Sequence, residues 1–275
     1  MTKSTTMRGR DAFIQNIASR LGRKEPLREA PAHPLRGVPE HYKAMSYNPD
    51  ELVELFVRNW TALTGKVLLV KRSEAREAIG AYIKEISAEL GVTQISRWEH
   101  ERLLELGLDD TLQAAGIKVV PWREDEDEAP AGAEQAGQED LAEPLSGSAG
   151  ETGSGPNWAK RSKLLRETER CQLGLVWPDY AVAGTSTLVL PAYGGRGRSV
   201  SLLTSILVAV FDKEQLVFRM GEALEALRRR YPHVTDVPSS INLITGPSRS
   251  ADIENDLTIG IHGPGKVYAV ILHDE

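Results

Sequence analysis

The densest set of side chains able to grip an anion or move a proton lies near the end of the chain. It occupies Ile241-Asn-Leu-Ile-Thr-Gly-Pro-Ser-Arg-Ser-Ala-Asp252 and continues through Leu257-Thr-Ile-Gly-Ile-His-Gly-Pro264. The pattern predicts an apolar strand, a polar turn, a second apolar strand and a turn that carries His262. Ile241, Leu243 and Ile244 have the aliphatic character of a buried strand, and Gly246-Pro247 stops it. Just past that stop come Ser248, Arg249, Ser250 and Asp252. An arginine matches a carboxylate with two parallel hydrogen bonds, and serine hydroxyls can complete the set. A histidine beside them can accept a proton from a hydroxyl-bearing carbon or its oxygen. Polar clusters beyond the C-terminal ends of strands are where open α/β sheets place their ligands. The same Ser and Asp residues also suit a turn that satisfies its own backbone, and His262 also suits a brace for its Gly-Pro turn.

Two further stretches are candidates for binding. Gly184-Thr-Ser-Thr187 is a small polar interruption between apolar runs, where Thr185 and Thr187 leave room for a ligand or another backbone. Tyr193-Gly-Gly-Arg-Gly-Arg198 is a glycine loop with two guanidinium groups. Its glycines free backbone amides to face an anion, and Arg196 and Arg198 could hold it; an ordinary Gly/Arg hairpin turn fits as well.

These stretches need elements to position them. Helical spacing of Phe13, Ile14, Ile17 and Leu21 predicts an N-terminal helix that stops at Gly22, followed by an extended arm with Pro26, Pro31, Pro34 and Pro39. Asn48-Pro49-Asp50-Glu51 is a helix start: Asn48 caps, Pro49 takes the first helical position and Glu51 completes a capping box. Lys66–Val70 reads as a short buried strand, Ser73–Leu90 as a helix ended by Gly91, and Val92–Ile95 as the start of another strand. Leu103–Ala115 reads as one helix and Ile117–Val120 as a strand closed by Pro121. Trp158–Arg170 reads as a basic helix and Gln172–Trp177 as a strand. Tyr180–Leu190 reads as one longer strand with its polar interruption. Ser199–Phe211 reads as a buried segment, Arg219–Tyr231 as a helix and Lys266–Leu272 as a last strand. Strands alternating with helices of this length predict a parallel sheet covered on both faces. The expected organisation is an N-terminal helix and Pro-rich arm over 1–47, then one α/β domain over 48–272.

Composition narrows the function classes. Residues 123–157 hold ten acids against the single base Arg123, a net −9, so the overall −6 leaves +3 on the rest of the chain. That stretch, rich in Ala, Gly, Glu, Ser and Pro, predicts a flexible insertion. A mildly basic body suits a small anionic ligand, and without a basic stripe interleaved with aromatics nucleic acid is not expected. The longest compact apolar run, Ile206–Phe211, is too short to span a bilayer. A single cysteine, Cys171, excludes an intrachain disulfide framework and an all-cysteine iron–sulfur cluster held by this chain alone; it fits a reducing cytoplasm. No GxGxxG or GxxxxGK[ST] follows any predicted strand, so a nicotinamide or P-loop nucleotide site has no support.

The chain resembles the LutC family, the lactate-utilisation or LUD domain. The residues that carry the resemblance are Asp179-Tyr-Ala-Val-Ala-Gly-Thr-Ser-Thr-Leu-Val-Leu190, Gly197-Arg-Ser-Val-Ser-Leu-Leu203, Thr245-Gly-Pro-Ser-Arg-Ser-Ala-Asp-Ile-Glu254 and Gly260-Ile-His-Gly-Pro264. It covers residues 160–272 and, in element order, 48–121. The resemblance implies a Rossmann-like three-layer α/β/α sandwich of the sugar-phosphate isomerase and CoA-transferase type. It further implies a non-redox subunit of a three-protein system that oxidises L-lactate to pyruvate, with no cofactor on this chain. Its partners, cysteine-rich proteins, would carry the iron–sulfur clusters, and this subunit would bind substrate or hold those partners together. On that reading Arg249 pairs with the carboxylate, Ser248 and Ser250 hydrogen-bond it, and His262 is the catalytic candidate. The sequence departs from the family in having Gly184 where an acid usually precedes Thr185, and Leu202-Leu203-Thr204-Ser205 where the family has Leu-Leu-Pro-Pro. The alternative function is an independent isomerase or CoA transferase acting on a phosphorylated or CoA-linked substrate, for which Glu254 is the one acid in the right neighbourhood.

Overall fold

The computed structural model describes residues 9–27, 29, 44–123, 163–251 and 257–274. The acidic insertion beyond Arg123, most of the Pro-rich arm, and Asp252 and Glu254 lie outside the described residues. The chain divides into two compact units, Met1–Ser46 and Tyr47–Glu275. The first contains helix α1 (Arg10–Arg20), set between Gly9 and Gly22, both in the left-handed region.

In the second unit, α2 (Pro49–Ala62) starts as its sequence dictates. Asn48 Oδ1 accepts from the N–H groups of Asp50 and Glu51 at 3.0 and 2.9 Å, while Glu51 Oε2 accepts from the Asn48 N–H at 2.8 Å. This reciprocal pairing satisfies donors that the first helical turn leaves open. Leu55, Phe56 and Trp60 form the buried face of α2, and Phe56 meets Phe211 edge-on with ring centroids 5.5 Å apart. Next come β1 (Lys66–Lys71), α3 (Ala75–Leu90), β2 (Gln94–Trp98), α4 (Glu101–Glu105), α5 (Leu108–Gln113) and β3 (Lys118–Trp122). The helix expected over Leu103–Ala115 is two helices, because Gly107 at φ 57° turns the chain between them. Pro121 lies inside β3 rather than closing it. β3 is an edge strand, where the missing N–H costs no ladder bond.

The chain then forms α6 (Lys163–Glu169), β4 (Leu173–Val176), β5 (Tyr180–Val182), β6 (Thr187–Ala192), α7 (Ser199–Leu202), β7 (Ile206–Asp212), β8 (Leu216–Val217) and α8 (Met220–Arg230). It ends with β9 (Ser240–Thr245), β10 (Arg249–Ala251), β11 (Leu257–Ile259) and β12 (Lys266–His273). Six strands make a wholly parallel sheet in the order β1-β12-β7-β4-β2-β3. Its central strands are continuous apolar runs, as burial on both faces requires: Leu207–Phe211 and Ala269–Ile271 are fully enclosed. With its flanking helices this sheet is the expected Rossmann-like α/β sandwich.

A second, mixed sheet runs β8-β5-β6-β9. The single strand expected over Tyr180–Leu190 is therefore a hairpin, folded back at residues 183–186, where Ser186 takes a positive φ of 51°. Side-chain alternation gives this sheet two apolar faces. Ala181, Leu188 and Leu190 join the main core, whereas Val182 and Val189 pack with Ala223 and Leu227 of α8. β9 is an edge strand: Ile244 is buried, but Leu243 is 49% exposed, so Ile241–Ile244 is not the buried strand its composition suggested.

Candidate functional site

Strand order selects a place for a ligand. From β2 the chain moves outward to the edge strand β3, whereas from β4 it steps the other way, through β7 to β12. The C-terminal ends of β2 and β4 are neighbours at which the connections diverge, the position where open α/β sheets bind ligands.

A buried polar cluster occupies that position. His100, two residues past β2, is 7% exposed and stacks on Trp177, the residue after β4, with centroids 5.6 Å apart. Its Nδ1 accepts the Arg102 backbone N–H at 3.1 Å and so caps α4, which places the ring proton on Nε2. The Arg102 guanidinium lies over the Trp177 ring at 5.7 Å and donates to Asp212 Oδ2 at 3.0 Å. Asp212, at the end of β7, also receives Arg72. Asp179 is the centre of the second half of the cluster. Its carboxylate is 3% exposed and accepts Arg196 Nη1 on Oδ1 and Arg230 Nη1 on Oδ2, both at 2.8 Å. Gln215 holds the adjoining backbone by donating to the carbonyls of Pro178 and Asp179.

Charge and burial set the protonation states. Burial, and then the guanidiniums of Arg196, Arg230 and Arg102, push the His100 pKa down to about 3. His100 is therefore a neutral imidazole at physiological pH, a hydrogen-bonding group rather than a cation. Burial raises the Asp179 carboxyl above its usual range and outweighs the opposing pull of Arg230 and Arg196.

The glycine loop that carries Arg196 sits on these strand ends. The Glu99 N–H donates to the Gly195 carbonyl at 2.9 Å, and Trp98 Nε1 donates to the Gly197 carbonyl at 2.8 Å. A Cβ on Gly195 would collide with Glu99, and one on Gly197 with the Trp122 ring. Gly195 and Gly197 are thus accounted for by close packing at the ends of β2 and β3, whereas Gly194 makes a left-handed turn at φ 51° with open space beside it. Beside the loop lies an open pocket of about 540 Å³, bordered by Trp122, Leu165, Tyr193, Arg196, Arg198 and Ser240. Arg196 belongs to both features, paired with buried Asp179 and lining the pocket.

The late polar stretch lies elsewhere. β9 pairs antiparallel with β6 in the mixed sheet, so its C-terminal end is not an end of the parallel sheet, and the rule that pointed there does not apply. Arg249 Nη2 donates to the Leu63 carbonyl at 2.8 Å and to Thr64 Oγ1 at 3.2 Å, serving a carbonyl left open at the end of α2. Ser248 is built into the turn: its carbonyl accepts the Gly260 N–H and its Oγ accepts the His262 N–H at 3.2 Å. The His262 side chain is exposed, Ser250 sits in the β10–β11 ladder, and Asp252 lies outside the described residues. Thr185, Thr187 and Thr245 form a hydroxyl chain with 2.7 Å links. That chain is at the Thr187 end of β6 and the Arg196 loop follows the Ala192 end, roughly 17 Å away at ~3.3 Å per residue. The two sets do not form one site. At Gly184 an added Cβ would press on the Phe218 carbonyl, so the acid that the family pattern places there has no room. Among the described residues, no group of three or more His, Cys, Asp or Glu is placed to hold a metal ion, and no helix is long and apolar enough to cross a membrane.

Residues 53–272 match the family model described as the LUD domain. The chain belongs to the LUD-domain family. The LUD domain here runs from within α2 to β12 and includes the whole switch-point cluster. The lactate utilization protein C of Halalkalibacterium halodurans is 28% identical over 265 residues, covering 96% of this chain and 98% of its own. That of Bacillus subtilis is 26% identical over 275 residues and covers 100% of both chains. A crystal structure of a DUF162 family protein from Deinococcus radiodurans aligns with a TM-score of 0.50 at 16% identity, over 83% of this chain and 100% of that one, a likeness of fold. The family read from the Thr245–Glu254 and Gly260–Pro264 stretches is the family found.

His100, Trp177 and Arg230 were not singled out by sequence reasoning, and Asp179 appeared only as the first residue of a stretch that carries the family resemblance. Each of the first two follows a parallel strand within two residues, and that is the signal available in sequence. It selects nothing until strand order says which two ends are neighbours at the switch point.

Proposed function

We propose that this LUD-domain protein is a non-redox subunit of the system that oxidises L-lactate to pyruvate, working in the cytoplasm with cysteine-rich iron–sulfur partners. The observation that carries the reading is full-length similarity to proteins named lactate utilization protein C. The chemistry of the switch-point cluster supports it. Arginines that retain unused N–H groups beside a neutral imidazole suit a carboxylate with an adjacent oxygen, the pattern of a 2-hydroxy acid. With its single cysteine buried, this chain would leave electron transfer to the partners. Organising those partners is the other role open to the subunit.

The test is growth on L-lactate as sole carbon source after deletion of the gene, with restoration by the intact copy. A deletion strain that grows as fast as its parent sinks the proposal. Affinity purification of the tagged protein from lactate-grown cells should bring down a cysteine-rich iron–sulfur protein, and its absence would remove the partner assignment.

A further inference from the structure

We propose that the pocket beside the 193–199 loop binds a phosphorylated ligand with a planar ring, a mononucleotide or a group of that kind. Its phosphate would rest on Arg196 and Arg198 and its ring against Trp122. The charge of the pocket wall suits a phosphate. Arg196 and Arg198 put two guanidiniums on the pocket wall, and no carboxylate is among its lining residues. Among the described residues the Arg198 guanidinium has no partner, and Arg196 gives only Nη1 to Asp179 while its Cζ lies 4.5 Å from the centre of the Tyr193 ring. A phosphate group of about −1.5 to −2 near neutral pH balances that excess, whereas a monocarboxylate balances half of it. Two guanidiniums also offer more donors than the roughly four acceptor sites of one carboxylate can take up.

The pocket is also large enough for a ring beside the phosphate. At about 540 Å³ the pocket is in the range, roughly 300–1,000 Å³, that encloses drug-sized molecules. A three-carbon acid would leave most of it to water. One wall of the pocket is aromatic. Trp122 packs on Gly197 and borders the pocket, a surface on which a flat ring can stack. With Gly195 and Gly197 occupied in packing, the arginine side chains carry the phosphate, and no phosphate-loop motif marks the site. The pocket shares Arg196 with the cluster to which the lactate role assigns a carboxylate, and titration with L-lactate separates the two.

Calorimetric titration of the purified full-length protein with adenosine diphosphate, adenosine, inorganic phosphate and L-lactate tests it. Adenosine diphosphate should bind with a Kd below about 1 mM, and the other three at least about tenfold more weakly. Arg198→Ala, at an exposed side chain without a partner among the described residues, should keep its unfolding midpoint and lose about tenfold or more in affinity. Trp122→Leu should weaken adenosine diphosphate more than phosphate. No heat with adenosine diphosphate at about 10 mM would overturn the proposal. So would tighter binding of L-lactate, or an affinity that Arg198→Ala leaves unchanged.

Discussion

Acidification should expose the cost of keeping His100 neutral. An ordinary histidine titrates near 6.5, and in the fold His100 is pushed down to about 3 by burial and by three guanidiniums. Its folded-state pKa is depressed, so the neutral ring contributes stability that is fully present above about 6.5 and is lost as pH falls from there towards 3. At ~1.36 kcal/mol per pH unit the whole interval is worth roughly 5 kcal/mol, of which roughly 3 kcal/mol is gone by pH 4. Protonation would also turn Nδ1 from acceptor to donor and oppose it to the Arg102 N–H at the start of α4. His100→Asn keeps an acceptor for that N–H and removes the titrating ring. Urea unfolding of both proteins at pH 7 and pH 4 should show the parent losing about 3 kcal/mol more than the variant. The other histidines and the carboxylates are common to the pair and cancel. An equal loss in both proteins, or a His100 ring resonance that titrates near 6.5, would refute the picture of a neutral imidazole enclosed by arginines.

Three further outcomes follow from local geometry. Gly197→Ala drives a methyl into the Trp122 ring, and should lower stability by about 1–3 kcal/mol in thermal unfolding, whereas Gly221→Ala, in open space on α8, should not. Asn48→Ala removes the acceptor for two N–H groups of α2 and should cost about 1 kcal/mol by chemical denaturation. Cys171 is buried and its thiol is pushed up to about 11, mainly by burial, so a thiol-reactive chromogen at pH 8 should label it slowly in the native protein and quickly in urea.

The sequence by itself determined the local elements and the family. Capping at Asn48-Pro49-Asp50-Glu51 and the stop at Gly91 depend on neighbours within a few residues, and both form as read. Where an element depended on more than its neighbours, the reading failed. The Tyr180–Leu190 run is apolar enough for one strand, but it folds into a hairpin because β5 must pair with β8 and β6 with β9. Pro121 reads as a stop and lies within a strand, because only sheet order reveals that β3 is an edge.

The candidate site divides along the same line. The polar turn from Ser248 to His262 is conspicuous in sequence, yet its strand belongs to the mixed sheet and Arg249 is engaged with the end of α2. Arg196 and Arg198 were legible as cations on a glycine loop. What they face was not, because His100, Asp179 and Arg230 come from segments up to 130 residues apart in the chain. Sequence carries charge and hydrogen-bonding capacity residue by residue. Only the order of six parallel strands brings the ends of β2 and β4 together, and only burial there turns a histidine and an aspartate of ordinary type into a neutral ring and a shared counter-ion.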